Sequence, residues 1–199
     1  MKDNGGKYEK KILYSFLIIG LMFVLIGCGK KNEANDVSSK QDIINKPVVI
    51  YFSATGTTKS IATRIANKLN SDIIEIVPKV KYTSDDLNYN SDCRANREQN
   101  DNSARPEIEN EISIDEYDTI YLGYPIWWGT NPKIILTLLD TYDFTGKTII
   151  PFCTSGSSWI SGSVNDLRNY NSSLNIKDGK RFSTSDSDEV IKEFIKSNK

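Results

Sequence analysis

A short run of apolar, mostly β-branched residues at 48–52 is followed by a break of small polar residues and then by a helical pattern. The run is apolar at every position, which is typical of a strand buried on both faces of a sheet. After the break, Ile61, Ile65 and Leu69 recur every four residues and form one apolar stripe. A second, largely apolar run follows at 72–77. This order predicts a parallel βαβ unit with a right-handed crossover.

The rest of the chain repeats this alternation. Apolar runs at 118–123, 147–152 and 176–182 predict the third, fourth and fifth strands. Helices are predicted at four further places: about 84–97, the segment that begins at Pro132, 163–170 and 189–197. Five strands alternating with helices favour an α/β fold with three layers, α/β/α, around a parallel sheet.

The N-terminal region has the organisation of an export signal. Four lysines within residues 1–11 precede an apolar run at 12–26, which is shorter than the roughly 20 residues that span a membrane. Residues 25–28, LIGC, resemble the lipobox of bacterial lipoproteins, in which cleavage precedes the cysteine and the cysteine receives lipid. We expect 1–27 to be a lipoprotein signal peptide and Cys28 to be the lipidation site; the alternative is an uncleaved N-terminal anchor helix.

Processing at this point would leave a polar, flexible tether at 28–46 and a folded domain at 47–199. The acyl chains would hold the mature chain on the extracytoplasmic face of the cell membrane. After loss of four Lys, one Asp and one Glu with the signal peptide, 21 basic and 24 acidic side chains remain, a formal net charge of −3. This balance predicts no basic face for nucleic acid.

The chain contains no histidine, which excludes Ser-His-Asp triads, Cys-His dyads and imidazole metal ligands. Proton transfer would have to use carboxylates, Tyr, Lys, water or a cofactor. Cys93 and Cys153 are far apart in sequence. We expect them to be separate buried thiols, although the compartment permits a disulfide between them.

Three unusual loops follow the first, third and fourth predicted strands. Ligands of open parallel sheets bind outside the carboxyl ends of the strands, where these loops would meet. The first loop, 53–58, offers hydroxyl groups, a glycine and N–H groups that lead into a helix N-terminus, where proteins bind phosphate. It has neither a Walker-A nor a GxGxxG pattern. The alternative is a capping turn in which Thr57 or Thr58 caps the helix; Lys59 is interpreted as a solvated first-turn lysine.

The second loop carries Tyr124, Trp127 and Trp128 within five residues. Two adjacent tryptophans do not easily both fit in a core, so we expect at least one near the rim, where a planar ligand could stack on it. The alternative is that both pack over the edge of the sheet. The third loop, 154–158, is small and polar and would let a ligand approach its backbone. Together the loops predict a ligand with a phosphate and a flat ring system.

These loops resemble those of the flavodoxin family, and in particular the flavodoxin-like lipoproteins and small flavoproteins of bacteria. The matching segments are YFSATGTTKSIA (51–62), LGYPIWWGTNP (122–132), IIPFCTSGSS (149–158) and ARPEI (104–108). The resemblance covers residues 47–198. It implies a flavodoxin-like fold whose five parallel strands lie in the order 2-1-3-4-5, and it implies FMN as the cofactor.

The resemblance also implies which residues hold FMN. The phosphate would lie against the first loop, and the two sides of the isoalloxazine ring against the second and third loops. The implied binding residues are Ser53, Ala54, Thr55, Gly56, Thr57, Thr58, Tyr124, Pro125, Trp127, Trp128, Gly129, Thr154, Ser155 and Gly156. The flavin would carry out the chemistry, so the absence of histidine is no obstacle.

The resemblance favours a membrane-anchored redox protein that transfers electrons outside the cytoplasmic membrane, to or from a redox partner protein or a small electron carrier. Two alternatives stay open. One is a flavin reductase that uses NAD(P)H to reduce quinones or nitro compounds, although the sequence has no nicotinamide-binding fingerprint. The other is a lipoprotein that keeps the fold without flavin.

Overall fold

A computed structural model describes residues 46–199. The predicted signal peptide at 1–27, the lipidation site Cys28 and all but the last residue of the predicted tether lie outside the described residues. Within 46–199, no helix combines the length and the apolar character needed to cross a membrane.

The described domain alternates strands and helices along the chain. Its strands are β1 (Pro47–Tyr51), β2 (Asp72–Glu75), β3 (Thr119–Pro125), β4 (Thr148–Thr154), β5 (Asn175–Ile176) and β6 (Lys180–Phe182). Its helices are α1 (Thr57–Leu69), α2 (Arg94–Asn100), α3 (Lys133–Thr141), α4 (Ile160–Tyr170) and α5 (Asp188–Ser197). All strand pairs are parallel, in the order β2-β1-β3-β4-β5, with β6 also paired to β4. This order confirms the predicted 2-1-3-4-5 sheet.

The central strand β1 is buried on both faces. Val48 and Ile50 belong to one apolar cluster with residues of α3 and α4, whereas Val49 and Tyr51 belong to a second cluster with residues of α1 and α5. Full burial of each such aliphatic side chain stabilises the fold by about 1.5–3 kcal/mol. One cluster lies on each face of the sheet, between the sheet and its helices, which gives the three layers of the predicted fold. Helix α1 buries the apolar stripe predicted from the sequence.

The fifth strand position is divided between β5 and β6, where the sequence predicts one strand at 176–182. The two short strands pair with successive parts of β4. Between them, Gly179 has a φ of 72°, and a Cβ there would lie 2.3 Å from the carbonyl oxygen of Pro151. Only glycine accommodates this conformation and this close approach, and its positive φ interrupts the strand.

The connection between β2 and β3 differs from the helix predicted at about 84–97. It contains a single 3-10 turn at Asp85–Leu87 and, further on, the short helix α2. The Asp86 carboxylate accepts hydrogen bonds from the N–H and the hydroxyl of Thr83, at 2.9 and 2.8 Å. Such local bonds between side chains and backbone compete with helix formation, which explains why one continuous helix does not form.

Other boundaries also differ from the sequence prediction; β2, for example, ends at Glu75 rather than at 77. Strand β3 continues to Pro125 and β4 to Thr154, because the pairing extends through Tyr124–Cys153 and Pro125–Thr154. Tyr124 therefore lies in a strand rather than in a loop. Helix α4 begins at Ile160, three residues before the predicted start at 163.

Cys93 and Cys153 are both buried, and within the described residues both are free thiols, in line with the sequence expectation. The Cys93 sulfur accepts a hydrogen bond from the N–H of Asn96 at 3.4 Å and caps α2. Burial raises the pKa of the Cys153 thiol to about 12. That thiol is therefore protonated at neutral pH and a poor nucleophile.

A substitution at Gly123 tests the packing between β3 and β4. A Cβ at this position would lie 2.2 Å from Cζ of the buried Phe152 ring. We expect Gly123→Ala to lower the free energy of unfolding by roughly 1–3 kcal/mol, because the core must shift to admit a methyl group. Urea denaturation followed by circular dichroism measures this loss. The same substitution at the exposed Gly156, where no atom of the described chain lies within 4 Å of a Cβ, is the control and should have little effect.

Candidate functional site

A cleft of about 360 Å³ opens where β1, β3 and β4 end. Nine residues predicted from the sequence line it: Ala54, Thr55, Thr57, Thr58, Pro125, Trp127, Thr154, Ser155 and Gly156. Six residues that the sequence analysis did not single out complete the lining: Leu87, Tyr89, Ile126, Phe182, Ser183 and Thr184. Five predicted residues are outside the lining: Ser53, Gly56, Tyr124, Trp128 and Gly129. The three predicted loops therefore meet at one cleft, although some predicted residues of the first and second loops lie outside its lining.

The first loop turns into α1 at Gly56 rather than at a threonine. Gly56 is the N-cap, with a φ of 87°, and no side chain within 46–199 caps the helix, so the alternative of a cap by Thr57 or Thr58 is wrong. The Ser53 hydroxyl instead accepts the N–H of Gly56 at 3.1 Å. Both threonines lie in the first turn, where backbone N–H groups have no carbonyl partner within the helix. The loop thus presents hydrogen-bond donors and the positive end of the helix dipole to a ligand in the cleft.

A buried hydroxyl pair joins the first loop to the end of β4. The Thr58 and Thr154 hydroxyl oxygens are 2.8 Å apart, and both side chains are buried. One hydroxyl donates to the other, which leaves one hydroxyl proton of the pair able to donate to a ligand. This contact fixes the distance between two of the loops that line the cleft.

Lys59 lies outside the cleft lining. Its ammonium group forms an ion pair with Glu75 at 3.1 Å, and Glu75 also accepts a hydrogen bond from the Tyr51 hydroxyl at 2.8 Å. Burial and this bond raise the pKa of Tyr51. The structure thus agrees with the interpretation of Lys59 as a surface lysine, but it gives that lysine an acidic partner on β2.

The second loop is a tight turn that separates the two adjacent tryptophans. Trp127 and Thr130 exchange two backbone hydrogen bonds, with N···O distances of 2.9 and 3.0 Å. Trp128 and Gly129 between them both have positive φ, 51° and 81°, as in a type I′ turn. Trp127 is 4% exposed and Trp128 is 43% exposed. One tryptophan therefore lines the cleft and the other lies at the rim, as predicted for at least one of them.

An aromatic cluster packs against the Trp127 ring. This ring makes edge-to-face contacts with the Phe52 and Tyr82 rings, at centroid distances of 5.6 and 5.0 Å. The Tyr82 hydroxyl donates to Glu98, and the Arg94 guanidinium lies over the Tyr82 ring while it pairs with the same carboxylate. Burial and the bond to Glu98 raise the pKa of Tyr82, so its phenol stays protonated at neutral pH. These ring contacts hold the lining tryptophan in one position.

Tyr124 lies outside the cleft lining because its side chain belongs to the core. It is fully buried, and its hydroxyl lies 3.0 Å from that of Ser163 on α4. Burial raises its pKa. The sequence analysis placed this tyrosine in a loop, but the extension of β3 gives it a position inside the sheet.

The third loop is a short serine-rich turn. The Ser155 hydroxyl accepts the N–H groups of Ser157 and Ser158 at 3.3 and 3.0 Å. Gly156 is exposed, and a Cβ there would meet no atom of the described chain within 4 Å. The backbone of this loop is therefore open to a ligand in the cleft, as the sequence predicts.

The connection from β2 to β3 adds a wall that the sequence analysis missed. Backbone hydrogen bonds from Lys79 to Glu107 and from Glu109 to Val77 close the base of this excursion, at 2.9 and 2.8 Å. The excursion brings Leu87 and Tyr89 to the cleft and places Gln99 of α2 against the second loop. Gln99 donates to the carbonyls of Trp127 and Asn131, both at 3.2 Å. The local signals were three apolar or aromatic residues in a polar segment, Tyr82, Leu87 and Tyr89.

The cleft offers binding groups rather than acid–base catalysts. Among the described residues, none that line it carries a formal charge at neutral pH. Residues 46–199 also contain no cluster of three or more Cys, Asp and Glu side chains that could hold a metal ion. The cleft can hold a ligand by hydroxyl groups, N–H groups and aromatic contact.

Comparison with known proteins agrees with this geometry. The sequence model of the family described as flavodoxin matches residues 46–198. The chain belongs to the flavodoxin family. This finding confirms the resemblance drawn from the three loops and the fold that it implied. No curated protein is significantly similar in sequence to this flavodoxin-family chain.

Solved structures of flavoproteins share the fold. The chain is similar to proteins classed as flavoproteins from Bacteroides uniformis (42% identity, TM-score 0.73, 76% of this chain and 98% of that one) and Bacteroides eggerthii (38%, 0.73, 76% and 96%). It is also similar to a flavoprotein from Lactobacillus acidophilus solved in complex with FMN (25%, 0.62, 76% and 99%). The flavodoxin-like part of this chain thus matches nearly the full length of each.

Substitutions at Trp128 test the left-handed turn of this flavodoxin-family protein. Trp128→Ala and Trp128→Asn both remove the indole ring, but asparagine tolerates positive φ better than alanine. We expect the Asn variant to be more stable to urea by about 1 kcal/mol. Asn70, which already has a φ of 50°, is the matched control, and Asn70→Ala should lose a similar amount. Equal stability of the two Trp128 variants would contradict the left-handed backbone at this position.

Proposed function

We propose that this protein is an FMN-binding redox protein, held on the extracytoplasmic face of the cell membrane by lipid on Cys28, which transfers electrons there. The observation that carries the proposal is the cleft, which joins a cradle of hydroxyl and N–H donors to an aromatic wall. Membership of the flavodoxin family supports FMN as the cofactor, as does the relative from Lactobacillus acidophilus that was solved with FMN.

The phosphate of FMN would lie against the first turn of α1. The N–H groups there lack partners within the helix, and the Thr55 and Thr57 hydroxyl oxygens lie 3.3 Å apart at the cleft. The helix dipole adds positive potential at this end, which stabilises an anion without a lysine or arginine. These groups fit a phosphate ester, the most polar part of FMN.

The ring system of FMN would lie between Trp127 and the loop at 154–156. Trp127 gives an apolar wall, and the contacts with Phe52 and Tyr82 hold it before any ligand binds, which lowers the entropic cost of binding. The loop at 154–156 lets its backbone groups approach the ring closely. Both sides of the cleft therefore match a planar ring with polar edges.

Bound FMN supplies the electron-transfer chemistry, and the chain supplies binding, orientation and electrostatics. The cleft lining within the described residues has no charged side chain, so the potential at the ring depends on aromatic contact, hydroxyl groups and backbone dipoles. The cleft is open to solvent at the rim, where Tyr89 and Trp128 are exposed. That open rim gives electrons a short path to an external donor or acceptor.

Comparison of FMN with riboflavin tests both parts of the proposed site. Riboflavin lacks the phosphate, so FMN should bind more tightly, by roughly tenfold or more for hydrogen bonds to a charged group. Thr57→Ala should weaken FMN binding and leave riboflavin binding nearly unchanged. Quenching of flavin fluorescence by the full chain measures both affinities. Thr63→Ala, an exposed threonine on the same helix that bonds to the Lys59 carbonyl, is the matched control.

The possible outcomes separate a flavin-binding protein from one that keeps the fold without flavin. Tight FMN binding that depends on Thr57 supports the proposal. Failure to bind either flavin would overturn it and favour a lipoprotein that keeps the fold without flavin. Equal affinities for FMN and riboflavin would show that the first loop does not bind the phosphate.

Anchoring through Cys28 is a separate part of the proposal and has its own test. The lipobox-like residues 25–28 support it. The full chain expressed in a bacterial host should incorporate labelled palmitate and sediment with membranes, and Cys28→Ser should abolish the labelling. Cys93→Ser is the control and should still be labelled, because Cys93 is buried in the domain. Labelling of the Cys28→Ser protein would contradict lipidation at this cysteine.

A further inference from the structure

Four lysines surround a hollow on the surface formed by α1 and α5, away from the cleft. The hollow has a volume of about 280 Å³ and is lined by Lys68, Lys192, Ile195, Lys196 and Lys199. All four lysines are exposed, whereas Ile195 is buried. Every lining residue except Ile195 therefore presents an ammonium group to solvent. These four lysines are called the basic patch below.

The carboxylates that face the basic patch balance only part of its charge. Lys68 forms an ion pair with Asp188 at 2.7 Å, and Lys192 forms one with Glu189 at 3.0 Å. Asp188 also pairs with Arg64, so its charge is shared between two cations. The other two lysines of the patch form no ion pair within residues 46–199. An excess of positive charge therefore faces solvent and is available to an anionic partner.

The electrostatics of the two helices account for only part of the basic patch. Lys68 and Lys196 lie in the last turns of α1 and α5, where the helix dipole favours a cation. Lys192 lies one turn before Lys196 and repels it, because like charges four residues apart destabilise a helix. Glu193, the remaining acidic residue of α5, lines a different hollow and does not relieve this repulsion. An anion bound from outside would relieve it.

The basic patch lies near the point at which the predicted tether joins the domain. Lys199 also lines a neighbouring hollow together with Pro47, the first residue of β1, and Leu69, the last residue of α1. With lipid on Cys28, residues 29–46 would span at most about 65 Å, so the domain would stay close to the lipid surface. A short linker raises the effective concentration of its target to roughly the millimolar range, so a weak attraction suffices for binding.

The carboxylates at the start of the sheet form a separate group. Lys46 pairs with Glu116 at 2.6 Å and with Asp72 at 3.4 Å. Asp72 begins β2 and Glu116 precedes β3, whereas the basic patch belongs to the layer formed by α1 and α5. The α1–α5 layer, rather than the end of the sheet, is therefore the surface that suits an anionic membrane.

We infer that the basic patch binds the headgroups of anionic phospholipids and holds the α1–α5 layer against the membrane. The inference rests on the proposed anchoring through Cys28 and adds the orientation of the domain. The cleft lies at the other end of α1, whose 13 residues span about 20 Å, so it stays open to the aqueous side. Each lysine near an anionic surface strengthens binding roughly fivefold, so the four together suit this contact.

Acetylation of lysines by a reagent that does not cross membranes tests this orientation. The full chain is purified from bacterial membranes and reconstituted into vesicles of phosphatidylcholine, alone or with about one third phosphatidylglycerol. Mass spectrometry at low extents of modification compares Lys192, Lys196 and Lys199 with Lys59, which is exposed at the cleft end of α1 and serves as the internal reference. Acetylation of the patch relative to Lys59 should fall roughly threefold or more when anionic lipid is present.

Matched charge variants separate the basic patch from net charge. Lys196→Gln with Lys199→Gln leaves no carboxylate unpaired and should restore acetylation of Lys192, because two lysines together contribute roughly 25-fold to binding. Lys81→Gln with Lys133→Gln removes the same charge from two lysines that also form no ion pair in the described domain, and it should keep the protection. Raising the salt from about 0.1 to 1 M should abolish protection, because the Debye length falls from about 10 to 3 Å.

The outcomes distinguish this inference from the anchoring on which it rests. A full chain that associates with neither kind of vesicle would overturn the anchoring. Association without a difference in acetylation between neutral and anionic vesicles would overturn the role of the basic patch alone. Loss of protection in Lys81→Gln with Lys133→Gln would contradict a localised patch. Equal protection by a DNA duplex at the same phosphate concentration, without vesicles, would overturn the assignment to lipid.

Discussion

Parallel pairing of β1, β3 and β4 determines where the other parts of the domain can lie. These strands contribute side chains to both apolar clusters, so each has to be covered on both faces. The chain can then turn only beyond the strand ends, and the carboxyl ends of parallel strands share one edge. The buried contact between the Thr58 and Thr154 hydroxyls, 96 positions apart in sequence, follows from this arrangement.

The parts of the site that could be predicted from the sequence are those that directly follow a strand. To predict the position of such a loop, it is enough to recognise the strand before it. The apolar runs in the sequence identify those strands. Leu87 and Tyr89 reach the cleft in another way, through backbone bonds between residues 77–79 and 107–109 that close a long excursion. No local pattern encodes a pairing across this distance. The same limit applies to Tyr124, whose burial depends on how far β4 continues beside β3.

The excursion and the cleft depend on the same aromatic cluster. Ion pairs such as Arg105–Asp140, which fasten the excursion to α3, are partly exposed and each stabilise it by only about 0–1 kcal/mol. The Tyr82 ring packs against Phe52 and Trp127 and adds burial to ring contacts of about 0.5–1.5 kcal/mol each. The aromatic cluster behind the wall of the cleft therefore also holds the connection between β2 and β3 against the domain. This sharing explains how a segment with little apolar character stays on the domain.

The type I′ turn explains how two identical neighbours come to have different roles. In a strand, adjacent side chains point to opposite faces, and both faces of this sheet are buried. The turn begins at Trp127 and reverses the chain within the next two residues, so Trp127 keeps its place in the core while Trp128 is turned out to the rim. Asparagine at position 128 would make the same turn with less strain. Tryptophan at this position places an exposed ring at the rim, next in sequence to the buried ring of Trp127 that lines the cleft.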